Sequence, residues 1–274
     1  MPFTTLHGIE IHLQETGDGE PVLYLHSGPG HGGDWRGVVE ALGPFRRHLT
    51  PDLHDRGRSG FWPDPASYSL DREAEMALEI IEARGGRAHL VGHSYGGAVA
   101  ARMAALAPER LASLTLIEPQ LIDLLRDAGE TDQHAEVIAH YHTVLEDLGE
   151  GESDRAWTRF IDEYNGPGAY AALPERMKTR LHAMNPRMGM YFAALRDNPV
   201  GTADLAAITA PTLVILGERT TEAERRMAEI AAAHVPGARR VAIRGAGHMA
   251  PLTHPGRVAE VLETHLAAHP LVRA

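Results

Sequence analysis

Short apolar runs alternate with helical stretches along much of the chain. Ile9, Ile11 and Leu13 are separated by polar residues and lead to Gly17-Asp18-Gly19, which predicts a half-buried edge strand followed by a turn. Continuous apolar runs, typical of strands buried on both faces, follow at 22–25, 88–91, 114–117 and 213–216, with a weaker run at 241–243. Helical stretches are predicted near 35–42, 70–84, 98–106, 221–234 and 255–268.

This alternation predicts parallel strands joined by right-handed crossovers, and therefore an α/β sheet covered by helices on both faces. In such sheets the active site lies at the carboxyl ends of the strands. Polar residues in the segments that directly follow a strand are therefore the candidates for catalytic residues.

The alternation stops between Pro119 and about Leu205, where the spacing is helical. We expect a core formed by 1–118 and 205–274 with a helical cap, 119–204, inserted in it. Two groups in the cap, each of which could be packing core or pocket lining, are the stripe Trp157, Phe160, Ile161 and Tyr164 and the methionines Met177, Met184, Met188 and Met190.

Composition narrows the range of partners. With 26 Lys and Arg against 37 Asp and Glu and no basic block, the chain of 274 residues offers no electrostatic footprint for nucleic acid or an anionic membrane. The lack of cysteine excludes disulfides, thiolate catalysis and cysteine metal sites. The first residues do not resemble a signal peptide, and no apolar run reaches the roughly 20 residues that span a bilayer. We expect a soluble cytoplasmic monomer or homodimer acting on a small molecule.

The segment Gly92-His93-Ser94-Tyr95-Gly96 has the Gly-x-Ser-x-Gly pattern of a nucleophile elbow. Such a pentapeptide also occurs by chance, but here an apolar strand precedes it and an alanine-rich helix follows it. The turn would expose the Ser94 hydroxyl beside the first amides of that helix, which favour developing negative charge. Ser94 is the predicted nucleophile.

A serine hydroxyl needs a base to take its proton. His248 follows the weak run at 241–243 in Gly245-Ala246-Gly247-His248, whose glycines permit a tight loop at the same sheet edge. His254 is interpreted as a surface residue before Pro255. His248 is therefore the predicted base.

Five motifs in this order resemble the α/β-hydrolase superfamily over nearly the whole chain. They are His26-Ser27-Gly28-Pro29-Gly30, the loop 51–60, the elbow at Ser94, the strand 211–218 and Gly245-Ala246-Gly247-His248. The resemblance implies a mostly parallel eight-stranded sheet, a cap after the sixth strand and a Ser, acid, His order along the chain. It also implies an oxyanion hole formed by the backbone amides of Gly28 and Tyr95.

The acid departs from the commonest pattern of this superfamily, because Thr220 stands where an aspartate is usual. Some relatives place the acid after the sixth strand, and here 114–117 leads directly into Glu118-Pro119. We therefore predict Glu118 as the triad acid, with Glu218 or Glu222, or no acid at all, as the alternatives.

Other site residues follow from their positions near these motifs. Ser27 replaces a glycine of the superfamily, so its hydroxyl either contacts substrate or serves the turn, and His31 is either a substrate contact or an exposed loop residue. The residues predicted to bind substrate are Ser27, His31, Trp157, Tyr164 and Met249.

No metal and no cofactor are expected. His134, His140 and His142 lack i, i+4 spacing, and the chain has no His-Glu-x-x-His motif. The glycines between Gly28 and Gly33 are interpreted as an oxyanion loop and not as a phosphate cradle.

These residues predict a serine hydrolase that cleaves a small carboxylic ester, thioester or lactone through an acyl-enzyme. The same triad can also cleave carbon-carbon bonds or form peracids. A ligand receptor without turnover is a rival from another class, favoured by Thr220 and opposed by Glu118.

Overall fold

The computed structural model describes residues 3–197 and 199–271. Its eight strands form one sheet in the order β1-β2-β4-β3-β5-β6-β7-β8, in which only the β1-β2 and β2-β4 pairs are antiparallel. The strands are β1 Phe3–Leu6, β2 Ile9–Thr16, β3 Glu20–Leu25, β4 Arg46–Pro51, β5 Ala88–His93, β6 Leu111–Ile117, β7 Thr212–Gly217 and β8 Arg239–Ile243. The predicted mostly parallel eight-stranded sheet is confirmed.

The hydrophobic pattern did not reveal two of these strands, β1 and β4. Strand β4 begins with the polar residues Arg46-Arg47-His48, and its only large apolar side chain is Leu49. The strand forms because β2 and β3 flank it, with Leu49 paired to Leu23 on one side. Hydrogen bonds from two neighbours therefore fix a segment whose own pattern is mostly polar.

Helices cover both faces of the sheet. Val22 and Tyr24 of β3 belong to one apolar cluster, whereas Leu23 and Leu25 belong to the other, as the two-residue period of a strand requires. The helices are α1 Arg36–Leu42, α2 Leu70–Glu82, α3 Tyr95–Leu106, α4 Asp123–Asp127, α5 Thr131–Gly149, α6 Ser153–Asn165, α7 Glu175–Ala183, α8 Met188–Asp197, α9 Thr202–Ala206, α10 Glu222–His234, α11 Ala250–Thr253 and α12 Pro255–Ala268. None of these helices has the length and apolar character needed to cross a bilayer.

Helices α4 to α9 lie between β6 and β7, and within the described part of this segment there is no strand. Aromatic contacts join three of them: Tyr141 of α5 stacks on Phe192 of α8 with ring centroids 4.3 Å apart, and Phe160 of α6 lies 6.0 Å from the same ring. The segment coincides with the predicted cap, whose boundaries as a unit stay a prediction.

Close packing at the start of α3 generates a stability prediction. A Cβ on Gly96 would lie 2.4 Å from the carbonyl oxygen of Leu25, at the end of β3. Gly96→Ala should therefore lower the free energy of unfolding by about 1–3 kcal/mol, the usual effect of overpacking. Exposed Gly256 in α12 has no atom within 4 Å of its would-be Cβ, so Gly256→Ala should not lower stability and should raise it by up to about 1 kcal/mol through the higher helix propensity of alanine. Urea unfolding of both variants tests this, and equal effects would contradict it.

Candidate active site

Ser94 lies on a strained turn between β5 and α3. Its φ of 55° and ψ of −117° are outside the regions that L-residues prefer, and such a residue costs about 1–3 kcal/mol. Its amide donates to the carbonyl of Ile117 at 3.0 Å, which holds the turn against β6. Gly92 permits the turn, because a Cβ there would lie 2.2 Å from the Gly96 carbonyl oxygen. The hydroxyl-bearing side chain is thus fixed at the carboxyl edge of the sheet.

A buried histidine shapes the loop after β3. His26 Nδ1 donates to the carbonyl of Ser27 at 2.7 Å, and its Nε2 accepts from the Leu53 amide at 2.9 Å. One donor and one acceptor define a neutral imidazole. Burial lowers the pKa of His26 to about 4, so the ring keeps this tautomer near neutral pH.

Arg56 contacts both residues of the predicted oxyanion hole. Its Nε donates to the Gly28 carbonyl at 3.0 Å, and its guanidinium carbon lies 4.5 Å from the centre of the Tyr95 ring. Gly28 and Tyr95 line the same cavity as Ser94. Their assignment to an oxyanion hole stays a prediction.

Glu118 follows β6 with a φ of 41° and is fully buried. Its Oε1 accepts from the Gly217 amide at 2.5 Å, while Oε2 accepts from Thr220 Oγ1 at 2.6 Å and lies 2.7 Å from His248 Nδ1. Burial raises the pKa of the carboxyl, but the hydrogen bonds and the charge of His248 outweigh it, so the net pKa lies below the ordinary value. A charged carboxylate at this depth is stabilised by its three donors.

The other candidate acids lie elsewhere. Glu218 is exposed and accepts from the Gly245 amide at 2.8 Å. Glu222 is exposed on α10 and pairs with Arg225 at 3.4 Å. Of the three carboxylates considered from the sequence, Glu118 is the one at His248.

His248 is buried between two further rings. Tyr164 lies 4.8 Å and His93 5.0 Å from it, measured between ring centres. His93 Nε2 donates to the His248 carbonyl at 2.9 Å, and burial lowers the pKa of His93 to about 3. Burial also lowers the pKa of His248. The hydrogen bond to Glu118 and the nearby negative charge raise that pKa by more than burial lowers it, so the net pKa lies above the ordinary value.

Ser94 and His248 line one cavity of about 80 Å³. Among the described residues no direct hydrogen bond joins their side chains, and such bonds often tighten only when substrate binds. Most of the remaining wall is apolar, with Phe160, Phe192 and Leu195 from the cap. Ser27, Pro29, Ile161 and Met249 border both this inner cavity and a larger outer cleft of about 530 Å³.

The structure separates the five residues predicted to bind substrate. Ser27, Tyr164 and Met249 line the inner cavity, whereas His31 lines only the outer cleft. Trp157 lines neither: it is buried within the cap, where its Nε1 donates to Asn185 Oδ1 at 2.7 Å. Trp157 thus belongs to the packing core of the cap, while Tyr164, two helical turns later in α6, reaches the cavity.

Glu224 was not among the residues predicted from the sequence. It is buried in α10, with Oε2 3.7 Å from His248 Nδ1. The hydrophobic stripe of the helix carried a signal, because Glu224 shares the i, i+3, i+4, i+7 face of Met227, Ala228 and Ala231, all of them buried. An acidic residue in that stripe indicates a carboxyl directed into the core. Gln120 and Tyr141 also line the cavity and were not predicted.

Glu118, Glu224 and His248 have potential metal-binding atoms within 4.8 Å of one another. However, the oxygens of Glu118 already accept from Gly217, Thr220 and His248. This donor set suits a hydrogen-bonded carboxylate better than a metal ligand.

Comparison with known proteins identifies the family of this chain. The model of the alpha/beta hydrolase family matches residues 22–261. A pimeloyl-[acyl-carrier protein] methyl ester esterase of Nitrosomonas europaea is 30% identical over 252 residues, covering 89% of this chain and 95% of that protein.

Two solved structures have a similar fold. A hydrolase from Pseudomonas aeruginosa PA01 is 28% identical with a TM-score of 0.77, covering 96% of this chain and 97% of its own. The enol-lactonase from Burkholderia xenovorans LB400 is 17% identical with a TM-score of 0.78, covering 97% of this chain and 100% of its own, and at that identity shows the fold alone. The extent of the family match and the identity to the esterase together show that this chain belongs to the alpha/beta hydrolase family and is a hydrolase.

Proposed function

We propose that this hydrolase cleaves a small carboxylic ester, thioester or lactone through an acyl-enzyme on Ser94. The observation that carries the proposal is the buried contact between Glu118 and His248 Nδ1 at 2.7 Å, at the cavity that Ser94 also lines. Nδ1 donates to the carboxylate in this arrangement, which leaves Nε2 as the base.

The chemistry follows from these positions. Ser94 Oγ attacks the substrate carbonyl as His248 Nε2 takes its proton, and the amides of Gly28 and Tyr95 stabilise the oxyanion. Collapse of the tetrahedral intermediate releases the alcohol, thiol or lactone oxygen, which receives that proton. Water then attacks the acyl-enzyme with the same histidine as base and restores Ser94. Glu118 stabilises the imidazolium formed in each half-reaction.

The two cavities suggest where the two parts of a substrate bind. The inner cavity of about 80 Å³ is apolar and suits a short acyl group. The outer cleft of about 530 Å³ suits the leaving group, and Arg176 and Arg180 of α7 line it. The name of the esterase described above supports the ester part of this substrate class.

The hydrogen bond that Thr220 donates to Glu118 argues against the alternative that this protein is a ligand receptor without turnover. Thr220 favoured a receptor because it replaces the usual aspartate, yet its hydroxyl contacts the displaced acid at 2.6 Å. Thr220 thus supports a charged carboxylate instead of marking its loss. The ester class is preferred to peracid formation because it needs no peroxide. It is preferred to carbon-carbon bond cleavage because an alcohol or thiol leaves with the proton held by His248, whereas a leaving carbon atom would have to be protonated as a carbanion or enol.

The nucleophile is tested by Ser94→Ala. The variant should fold but lose about 10⁴- to 10⁶-fold in kcat for p-nitrophenyl acetate, because no other group can form the acyl-enzyme. A fluorophosphonate probe should label the parent protein and not this variant. Ser67→Ala, at an exposed serine, is the matched control and should label normally. Normal turnover or labelling of Ser94→Ala would overturn the assignment.

The acid is tested by comparing Glu118→Gln with Glu218→Gln. Glu118→Gln keeps the shape but removes the charge that stabilises the imidazolium, so kcat should fall by about 10⁴-fold. Glu218→Gln should cost less than about tenfold, since its carboxylate is exposed and screened. The reverse order of these two kcat values would move the acid from Glu118 to Glu218.

Thr220 is tested by removing its hydroxyl. Thr220→Val keeps the volume but takes a donor from the buried carboxylate, which should cost about 1–3 kcal/mol of unfolding free energy. Thr220→Ser retains the hydroxyl and should keep most of that stability. Urea unfolding at neutral pH compares the two, and equal stabilities would show that the hydrogen bond to Glu118 contributes little.

A further inference from the structure

Glu224 is a second buried carboxyl beside the base, and the mechanism above does not use it. Its side chain is 2% exposed, and Oε2 has no hydrogen-bond partner. The side chain of Gln120 contacts the Glu224 carboxyl, and its Oε1 is likewise buried without a partner. Two orphaned acceptors in the interior are unfavourable unless a proton lies between them.

A row of hydrogen bonds runs from Gln120 to the cavity. Gln120 Nε2 donates to the Tyr141 hydroxyl at 2.6 Å, and that hydroxyl lies 3.0 Å from the hydroxyl of Tyr164. We call Gln120, Tyr141 and Tyr164 the polar chain. It ends at a wall of the inner cavity, where the Tyr164 ring lies 4.8 Å from the ring of His248.

We propose that the protonation state of Glu224 sets the direction of the polar chain, and thereby whether Tyr164 donates or accepts a hydrogen bond in the cavity. This inference rests on the proposed function, because it assigns Tyr164 to binding the substrate of Ser94. Glu224 acts through other residues and is a positioning residue.

When Glu224 is protonated, each group of the row donates a hydrogen bond to the next one, from Glu224 toward the cavity. The carboxyl O–H donates to Gln120 Oε1, and Gln120 Nε2 donates to Tyr141. The Tyr141 hydroxyl then donates to Tyr164, since its oxygen already accepts from the amide. The O–H of Tyr164 is left to donate into the cavity.

With Glu224 ionised, the direction reverses. The Gln120 amide turns over, so that its NH₂ donates to the carboxylate and its oxygen accepts from Tyr141. Tyr164 then donates back to Tyr141 and presents only oxygen lone pairs to the cavity. The change releases one proton to solvent and breaks no covalent bond other than the carboxyl O–H.

Burial and charge place this change in the alkaline range. Burial and the negative charge of Glu118 raise the pKa of Glu224 to about 8, although the charge of His248 and a hydrogen bond with Gln120 lower it. The ionisable groups around Glu224 are Glu118 after β6, His248 after β8, Tyr141 of α5, and Glu163 and Tyr164 of α6. A group with a raised pKa is protonated below that value, so Tyr164 is a donor at neutral pH.

A donor at this wall favours a particular class of substrate. The rest of the cap side of the cavity is largely apolar, with Phe160, Phe192 and Leu195. An acyl group that carries an ether, keto or hydroxyl oxygen near the scissile carbonyl would accept from Tyr164, whereas a plain alkyl group would not. The site should prefer the oxygen-bearing acyl group at neutral pH and lose that preference when Glu224 ionises.

A pair of isosteric substrates tests this directly. The p-nitrophenyl esters of methoxyacetic and butyric acid differ by one ether oxygen in place of a methylene group. The ratio of their kcat/KM values cancels the ionisation of His248, which affects both equally. In the parent protein this ratio should fall about tenfold as pH rises through the pKa of Glu224, the value of one hydrogen bond.

Two variants and two matched controls separate an effect of the polar chain from general damage to the protein. Glu224→Gln cannot ionise, so its ratio should not change with pH. Tyr164→Phe should have the low ratio at every pH. Tyr170→Phe, a cap tyrosine bonded to Asp154, and Glu222→Gln, an exposed glutamate of the same helix, are matched controls and should follow the parent. A pH-independent ratio in the parent, or a parent-like profile in Glu224→Gln, would overturn the proposal.

Infrared spectroscopy tests the protonation state of Glu224 without relying on turnover. Infrared difference spectra of Ser94→Ala should contain a buried carboxylic acid band at neutral pH that disappears above the pKa of Glu224, and this band should be missing from Ser94→Ala/Glu224→Gln. If neither ester is hydrolysed but the band titrates, the proposed function fails while the buried acid stands. If the band is missing at neutral pH, Glu224 is already ionised and the inference is wrong.

Discussion

The buried carboxylate of Glu118 is the constraint on which the site depends. It follows β6 and accepts hydrogen bonds from the end of β7, from the loop before α10 and from the loop after β8. A charge with no exposed surface is tolerated only while such donors are present, because removing one leaves the desolvation penalty uncompensated. The three segments that carry Gly217, Thr220 and His248 are therefore held to one another through a single side chain.

Much of this arrangement follows from residue patterns. The elbow at Ser94 and the loop of His248 have local signatures, because a tight turn needs glycines at fixed offsets. The strand patterns predicted five of the six strands in the parallel part of the sheet, all but β4, since burial on both faces requires continuous apolar runs. Glu118 could be placed at the right sheet edge because the carboxyl ends of parallel strands meet there.

The remaining features depend on contacts between segments distant in sequence. The periodicity of α6 places Trp157 and Tyr164 on one stripe, but only the packing of the cap helices decides that the first is buried and the second reaches the cavity. Glu224 was missed because its partner Gln120 is far away in the chain, and β4 because its neighbours supply most of its order. The periodicity of a helix or strand predicts which of its faces is buried, but it does not predict which residues that face contacts.

A buried cation, Arg56, joins helix α8 to α2 and to the loop after β3. Arg56 lies under the ring of Tyr191 of α8 at 3.7 Å and pairs with Glu73 of α2 at 3.1 Å. The same guanidinium donates to the Gly28 carbonyl, so the position of the cap and that of the loop after β3 are coupled.

The hydrogen bond from His93 to the carbonyl of His248 has a consequence for biosynthesis. It joins residues that are 155 positions apart, on either side of the whole cap segment. While the ribosome is still adding the final third of the chain, the turn at Ser94 can form without His248, and Glu118 lacks its three donors and must stay hydrated. The contacts that surround Glu118 can therefore form only after most of the chain has been synthesised, because they join residues from the middle and the end of the sequence.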